Sequence, residues 1–303
     1  MRPPRQPSAD RTTLLAVPNV SEGRDAASVE AIAAAFDARL LDVHSDPDHN
    51  RSVFTLAGGP GTLAQHVLDG AREAIARVNV GVHRGAHPRV GAIDVAPIVY
   101  LDDASRGAAC AEALMLGDML GQELGLPVFL YGELARGRTP AELRRGGTQA
   151  LARRTEAGEL TPDFGPRRLR AAAGAVLVAA RPPLVAFNLE LAPPAGLEQA
   201  RAIAAHIREG GSEGLSGVRA IGLDLERRGV AQVSTNVEDH RATSLADVVA
   251  AVSRHAAVAR AELVGLAPGA AFEGFPAHVP IPGFDPERHI LERALSRAGG
   301  AEG

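Results

Sequence analysis

The chain contains no lysine. All 32 of its basic residues are arginine, which excludes a Walker phosphate loop with its lysine, a pyridoxal Schiff base and a lysine general base. A single cysteine, Cys110, excludes an intrachain disulfide and a cysteine-rich zinc site. It falls in the apolar-periodic stretch Ala108–Leu124, where a packed, inert thiol is expected rather than a nucleophile. Long hydrophobic runs are missing too: the longest, Ala171–Ala180, stops at Arg181-Pro182-Pro183 and is far too short to span a bilayer. The N-terminal MRPPRQPSADR has charge and proline but no apolar centre, unlike a secretory signal. Nor is there an excess of positive charge: 32 basic against 36 acidic residues leave a net −4. That balance argues against nucleic-acid and anionic-membrane partners. The expectation is a cytoplasmic protein.

What is present is enough for one large domain or two compact ones, 303 residues with 46% apolar side chains. Apolar periodicity predicts strands at Leu14–Val17, Leu40–Val43, Val53–Leu56, Ile93–Tyr100 and Val128–Tyr131, with His44–Asn50 as a polar loop. Helices are predicted at Ala26–Asp37, Pro60–Arg77 and around Cys110. After Arg181 the series is strand Leu184–Leu191, helix Leu197–Glu209, strands Val218–Leu225 and Val230–Val237, helix Ser244–His255 and strand Ala261–Val264. That order is β-α-β-β-α-β, the ferredoxin-like arrangement, and the first half repeats it with a helix–strand unit appended. The expected fold is therefore α/β (α+β): two ferredoxin-like subdomains, residues 1–181 and 182–303, with mixed sheets packed about a ligand cleft. Leu134–Arg170 is dense in arginine, either a solvated connector or a surface for a polyanionic small ligand. The last thirty residues read as an extended strap with a short helix, Pro286–Ser296.

Histidines crowd the first half. His83 and His87 have the spacing of a zinc pair on a helix, but Gly85 and Pro88 argue against a helix and the HExxH glutamate is missing. Asp46-Pro47-Asp48-His49-Asn50 imitates a calcium loop, yet Arg51 and Ala57 stand where glycine and glutamate are needed. A nonstandard metal site of His44, Asp46, His49 and His87 remains an alternative. His87 precedes Pro88, which stiffens the backbone, and ionic Arg89 and Asp94 follow; this suits a general acid or base. No Gly-x-Ser-x-Gly elbow occurs, and Gly58-Gly59-Pro60-Gly61 is a turn rather than a dinucleotide fingerprint.

Seven segments, in order from about residue 13 to 268, resemble those of one family. They are Val17-Pro18-Asn19-Val20-Ser21-Glu22-Gly23, Leu41-Asp42-Val43 with His49-Asn50-Arg51-Ser52-Val53, and Gly85-Ala86-His87-Pro88-Arg89 continuing through Asp94-Val95. With them go Leu130-Tyr131-Gly132-Glu133, Pro162-Asp163-Phe164-Gly165-Pro166, Ala186-Phe187-Asn188 and Gln232-Val233-Ser234-Thr235-Asn236. The resemblance is to the folate-dependent formiminotransferases, found alone or fused to a cyclodeaminase. It implies transfer of a formimino group between N-formimino-L-glutamate and tetrahydrofolate as co-substrate, in histidine breakdown, by at least a dimer. It places the catalytic histidine on His87 and the folate-binding stretch on Pro162–Arg170. Two departures stand out: no cyclodeaminase segment is expected, so 5-formiminotetrahydrofolate would pass to a separate enzyme, and His44 replaces an acidic residue of vertebrate-like members.

On chemical grounds, N5 of tetrahydrofolate attacks the formimino carbon and the glutamate nitrogen leaves, so one imidazole, His87, shuttles the proton. Asp94 orients or charge-stabilises that ring, or caps its strand. The protonated formimino group is amidinium-like, which makes Asp42 and Glu22 candidates to line its site, or simply helix caps. Arg51 and Arg89 receive substrate carboxylates or form surface ion pairs. Asn19, Asn50 and Asn236 donate hydrogen bonds or make turns, and Phe164 stacks an aromatic ring or anchors a turn. His44, Tyr131, Asp163, Gly165 and Pro166 complete the expected binding set, with no metal. The alternatives are transfer of a formyl group from N-formylglutamate, a non-catalytic folate-binding protein, and a metal-dependent hydrolase.

Overall fold

The computed structural model describes residues 12–300; the stretch read above as unlike a signal lies outside them. β1 (Leu14–Ala16) and β2 (Asn19–Val20) are one strand interrupted at Pro18, which has no N–H to give a ladder. α1 (Ala26–Ala35) starts at Asp25, whose carboxylate accepts from Ala27 N at 3.2 Å. β3 (Arg39–Asp46) and β4 (Arg51–Gly58) form a hairpin, α2 (Leu63–Arg77) crosses back, and β5 (Ile93–Tyr100) completes the first βαββαβ unit. Appended to it are α3 (Arg106–Glu123), β6 (Val128–Leu130), α4 (Pro140–Arg144), α5 (Gly147–Glu156) and β7 (Val176–Arg181). The second unit is β8 (Val185–Leu191), α6 (Leu197–Ile207), β9 (Val218–Leu225), β10 (Val230–Val237), α7 (Leu245–Ser253) and β11 (Val258–Val264). A strap carrying α8 (Pro286–His289) and α9 (Leu291–Gly300) follows.

In the first sheet β3 pairs with β4, β4 with the interrupted β1/β2, and these with β5, then β7, then β6. Only the appended β5–β7 and β6–β7 pairs are parallel. The second sheet, β11-β8-β10-β9, is antiparallel throughout, so the expected mixed character holds for the first sheet alone. Parallel pairing needs a crossover onto the same sheet, and only the first unit carries one beyond the ferredoxin-like order.

Two further expectations are corrected, and one stretch left unassigned gains a strand. His44, Ser45 and Asp46 are not loop but the end of β3, because they find partners in Val53, Ser52 and Arg51. The apolar run before Arg181 holds a strand, β7, between β5 and β6. The terminal helix is two helices, broken at Ile290, which pairs with Ala267.

One face of the first sheet is covered by α1, α2 and α3, with Phe36, Leu68, Leu116 and Ile98 fully buried between. α1 and α2 approach closely at Gly70, where a Cβ would lie 2.2 Å from the Phe36 ring. α6 and α7 cover one face of the second sheet over Phe187, Leu189 and Val233. Strand alternation then turns Asn188, Glu190 and Gln232 to the opposite face. On the first sheet's other face, Leu143 of α4 and Leu151 of α5 pack over Val95, Phe129 and Leu177, and Leu291 of α9 packs over Leu15, Ala57 and Val99. Between these two covers the polar face of the second sheet meets the first.

Candidate active site

The turn between β3 and β4 is the contact point. Arg228, in the turn before β10, donates from Nε to Asp48 Oδ2 (2.8 Å) and from Nη2 to Asp46 Oδ2 (3.1 Å). Its Nη1 donates to Glu190 of β8 at 2.6 Å. His49 Nε2 lies 2.9 Å from Gln232 Oε1, with both residues buried. His44 Nε2 is 3.6 Å from Glu262 Oε1, and Asn188 Nδ2 donates to Glu262 Oε2 at 2.9 Å. Burial opposes ionisation of Glu262, but the nearby His44 imidazole and the bond from Asn188 outweigh it and bring its carboxyl down to about 2. Burial likewise opposes charge on His44, and Glu262 outweighs it, raising that imidazole above its ordinary range.

The loop carrying His87 rests on this turn. Asn50 adopts φ 49°, in the left-handed region that asparagine tolerates. Its amide accepts from Gly23 N (3.0 Å) and donates to Arg84 O (2.9 Å). Gly85 is needed for the approach, because a Cβ there would sit 2.2 Å from His49 O. The half-buried His87 has Nδ1 2.7 Å from Pro88 O. A carbonyl only accepts, so Nδ1 carries the proton and Nε2 keeps its lone pair. Burial, then the Arg51 and Arg144 guanidiniums, hold this imidazole well below its ordinary 6.5.

Arg51 and Arg144 meet on one carboxylate. Arg51 Nη1 and Arg144 Nη2 each lie 2.5 Å from Asp94 Oδ2, while Asp94 Oδ1 accepts from Val90 N at 2.7 Å. Burial would raise the fully buried Asp94, but the two arginines outweigh it and hold it well below the usual carboxylate range. No hydrogen bond joins Asp94 to His87: its oxygens are taken by the arginines and the backbone, and it acts on that ring through its charge. Two guanidiniums on one carboxylate leave positive charge over, and Arg144 Nε is buried without a partner. Arg89 reaches only the carbonyls of His87 (3.3 Å) and Gly85 (3.4 Å) and makes no ion pair among the described residues. Tyr131 joins the same face, its phenol pushed up by burial against Arg181 and Arg144.

Several expected ligands have structural work instead. Asn19 binds Arg51 Nε through Oδ1 (3.1 Å) and Val17 O through Nδ2 (2.8 Å), which sets Arg51 in place. Asn50 is the brace described above. Glu22 Oε1 accepts from Arg24 N (2.7 Å) and Asp25 N (2.9 Å), closing the turn into α1. Phe164 packs its ring against Gly117 of α3, where a Cβ would come within 2.9 Å of it, so the ring is not presented for stacking. Asp163 accepts from Leu130 N at 2.7 Å and pairs with Arg138, fastening its segment beside β6. Gly165 fits against Leu126 O with φ 75°, and Pro166 is exposed. That segment lies three strand spacings from β5, roughly 14 Å. Asp42 is half-buried on β3, with Oδ2 unpartnered and its carboxyl raised by burial. Asn236 is exposed, on the same face of β10 as Gln232.

Sequence reading left Arg144 within an arginine-rich run, gave His49 a role only in the alternative metal set, and left Gln232 and Arg228 without roles. Each acts through a partner far along the chain, and no local pattern marks such a residue. The four residues of the alternative metal site turn to other partners. Among the described residues no group of three or more His, Cys, Asp or Glu is disposed to hold a metal. No described helix is long and apolar enough to cross a membrane.

Comparison with known proteins agrees with this layout. The family model of the formiminotransferase domain, N-terminal subdomain, matches residues 13–181, and that of the formiminotransferase domain matches residues 186–274. A glutamate formimidoyltransferase of Thermoplasma acidophilum is 34% identical over 301 residues, covering 94% of this chain and 98% of that protein. One from Streptococcus pyogenes serotype M1 is 32% identical over 292 residues, covering 92% and 97%. The formimidoyltransferase-cyclodeaminase of Sus scrofa is 40% identical over 275 residues, 83% of this chain and 49% of that protein. The chain thus spans about half the length of the cyclodeaminase-bearing relatives from animals that it matches. With both family models matched in order along its length, the chain belongs to the formiminotransferase family.

Proposed function

We propose that the protein transfers the formimino group between N-formimino-L-glutamate and tetrahydrofolate, giving 5-formiminotetrahydrofolate and L-glutamate, in histidine degradation. In this reading it is a cytoplasmic homodimer, with residues 1–181 and 182–303 as its lobes, and its product goes on to a cyclodeaminase. The observation that carries the chemistry is the state of His87: neutral, with the proton on Nδ1 and a lone pair on Nε2. A folate nitrogen that attacks the formimino carbon must lose its proton, and the glutamate nitrogen that departs must gain one. His87 Nε2 accepts the first proton and returns it to the second nitrogen, so the imidazole ends the cycle neutral. Arg51, Arg144 and Arg89 supply the positive charge that two substrates rich in carboxylates require. Asp42, with a buried carboxylate oxygen that has no partner, suits the amidinium-like formimino group.

The deciding assay supplies tetrahydrofolate and formiminoglutamate and follows 5-formiminotetrahydrofolate. Wild type is expected to turn over, and His87→Ala to lose kcat by about 10²–10⁴-fold, the usual share of a general base. Turnover with N-formylglutamate instead would reassign the donor. Folate binding without turnover of either donor would overturn the enzyme reading.

A further inference from the structure

His87 sits on a loop outside regular secondary structure, and its one ring hydrogen bond is made to the next residue of that loop. That bond fixes the tautomer but not the plane of the ring relative to the rest of the protein. The neighbouring ring is the imidazole of His49, with centroids 5.9 Å apart and planes inclined at 34°. His49 in turn reaches across the seam to Gln232 of β10, 2.9 Å from Nε2 to Oε1. The other end of that fully buried amide, Nε2, lies 3.5 Å from Glu262 Oε2. A carboxylate only accepts, so the NH₂ of Gln232 faces Glu262, its carbonyl faces His49, and His49 Nε2 bears the proton. Glu262 is itself fixed by Asn188 at 2.9 Å. Hydrogen bonds thus fix the series from the second sheet as far as His49, whose ring lies beside that of His87.

The backbone leads the same way. Arg228 grips the turn that bears His49 through Asp46 and Asp48, and Ala86 N donates to Asp48 O at 3.0 Å. The loop of His87 is therefore seated on a turn that the second sheet holds. A leucine at 232 would fill a comparable volume but leave the His49 N–H without its acceptor; a glutamine there specifies direction as well as bulk.

We infer that the second sheet positions the catalytic imidazole through Gln232 and His49, so that His87 keeps its working orientation only while the two sheets are apposed. Gln232 and His49 are positioning residues and act through His87. The kinetic part of the test rests on the transferase reading; the spectroscopic part does not.

The variants are Gln232→Leu, His49→Ala and, as a comparison, Arg260→Gln. The last removes a 2.7 Å ion pair to Glu190 on the same sheet without touching the bonds of Gln232. Two-bond ¹⁵N–¹H spectra of histidine-labelled protein distinguish Nδ1–H from Nε2–H tautomers and report each ring's surroundings. Wild type should show His87 as one Nδ1–H signal and His49 as Nε2–H. In Gln232→Leu the His49 signature is expected to be lost and the His87 signal to split or broaden; His49→Ala should split it too. In Arg260→Gln both signals stay. In the transferase assay Gln232→Leu should lower kcat by about tenfold, with KM for either substrate within about twofold, as for a misaimed base. A cooperative unfolding transition in each variant confirms that it folds, and His49→Ala decides the question if Gln232→Leu does not. Unchanged His87 signals in the folded variants would overturn the inference, as would equal disturbance in Arg260→Gln, which would mark general loosening of the seam. A wild type that turns over neither donor would sink the transferase reading and leave the spectra to decide positioning by themselves.

Discussion

His83 and His87 stand four residues apart on one loop, and both are held uncharged. For His83, burial and then the Arg89 cation bring the imidazole to about 4, with Nε2 3.0 Å from Asn50 O. A group whose folded pKa lies below its unfolded 6.5 makes the unfolded chain the better proton binder between the two values. Stability therefore falls as pH drops from 6.5 toward 4. Urea midpoints taken across that window should decline less steeply for His83→Gln than for wild type. The same sign governs catalysis. With His87 depressed by burial, Arg51 and Arg144, the acid limb of kcat/KM should lie below pH 6.5. Arg144→Gln removes one of the two cations, eases protonation of His87 and should move that limb to higher pH, while Arg51 and Val90 continue to hold Asp94. A limb that stays put in Arg144→Gln would mean that burial and Arg51 set the imidazole without Arg144.

At the scale of elements, α2 begins without a side-chain cap from its own first residues. Glu112 of α3 replaces it: the buried carboxylate accepts from Gly61 N at 2.6 Å and from Ala64 N at 2.7 Å. Glu112→Ala orphans both donors and should cost about 2–3 kcal/mol in chemical denaturation, with kcat unchanged. Such a cap joins residues about fifty positions apart, and this explains what could be read in one dimension. β5, β9 and β10 match their sequence-predicted bounds, since β-branched composition or alternation marks them and Arg-Arg-Gly marks the turn before β10. β7 was legible only as an apolar run, because Val176–Ala180 is buried on both faces and shows no period of two. The end of β3 was hidden because polar residues there are stabilised by pairing with β4. That His87 lies on a loop rather than a helix was legible from its glycine and proline neighbours. Arg144 was not, since only folding brings it to Asp94, fifty residues earlier in the chain.

Across the whole molecule, two sheets meet through polar side chains where their covering helices leave them open. Apolar packing would hold such sheets together without direction; here the direction comes from Arg228, which bridges Asp46 and Asp48 of the first sheet's hairpin to Glu190 of the second. Arg260 also holds Glu190 but reaches neither aspartate, so it joins nothing across the seam. Arg228→Gln would leave three carboxylates facing one another with the bridging cation gone. Breaking a deeply buried network of this kind costs about 3–5 kcal/mol, and the partial exposure of Arg228 reduces that to about 2. The melting temperature should then fall by roughly 4–8 °C at low salt. Part of the loss is repulsion between like charges, which mobile ions screen over about 3 Å at 1 M salt. The gap between wild type and Arg228→Gln should therefore narrow in 1 M NaCl, and kcat should fall further than in Arg260→Gln, because only Arg228 grips the turn beneath His87. A gap indifferent to salt would assign the seam's cohesion to packing of the arginine stem instead of its charge.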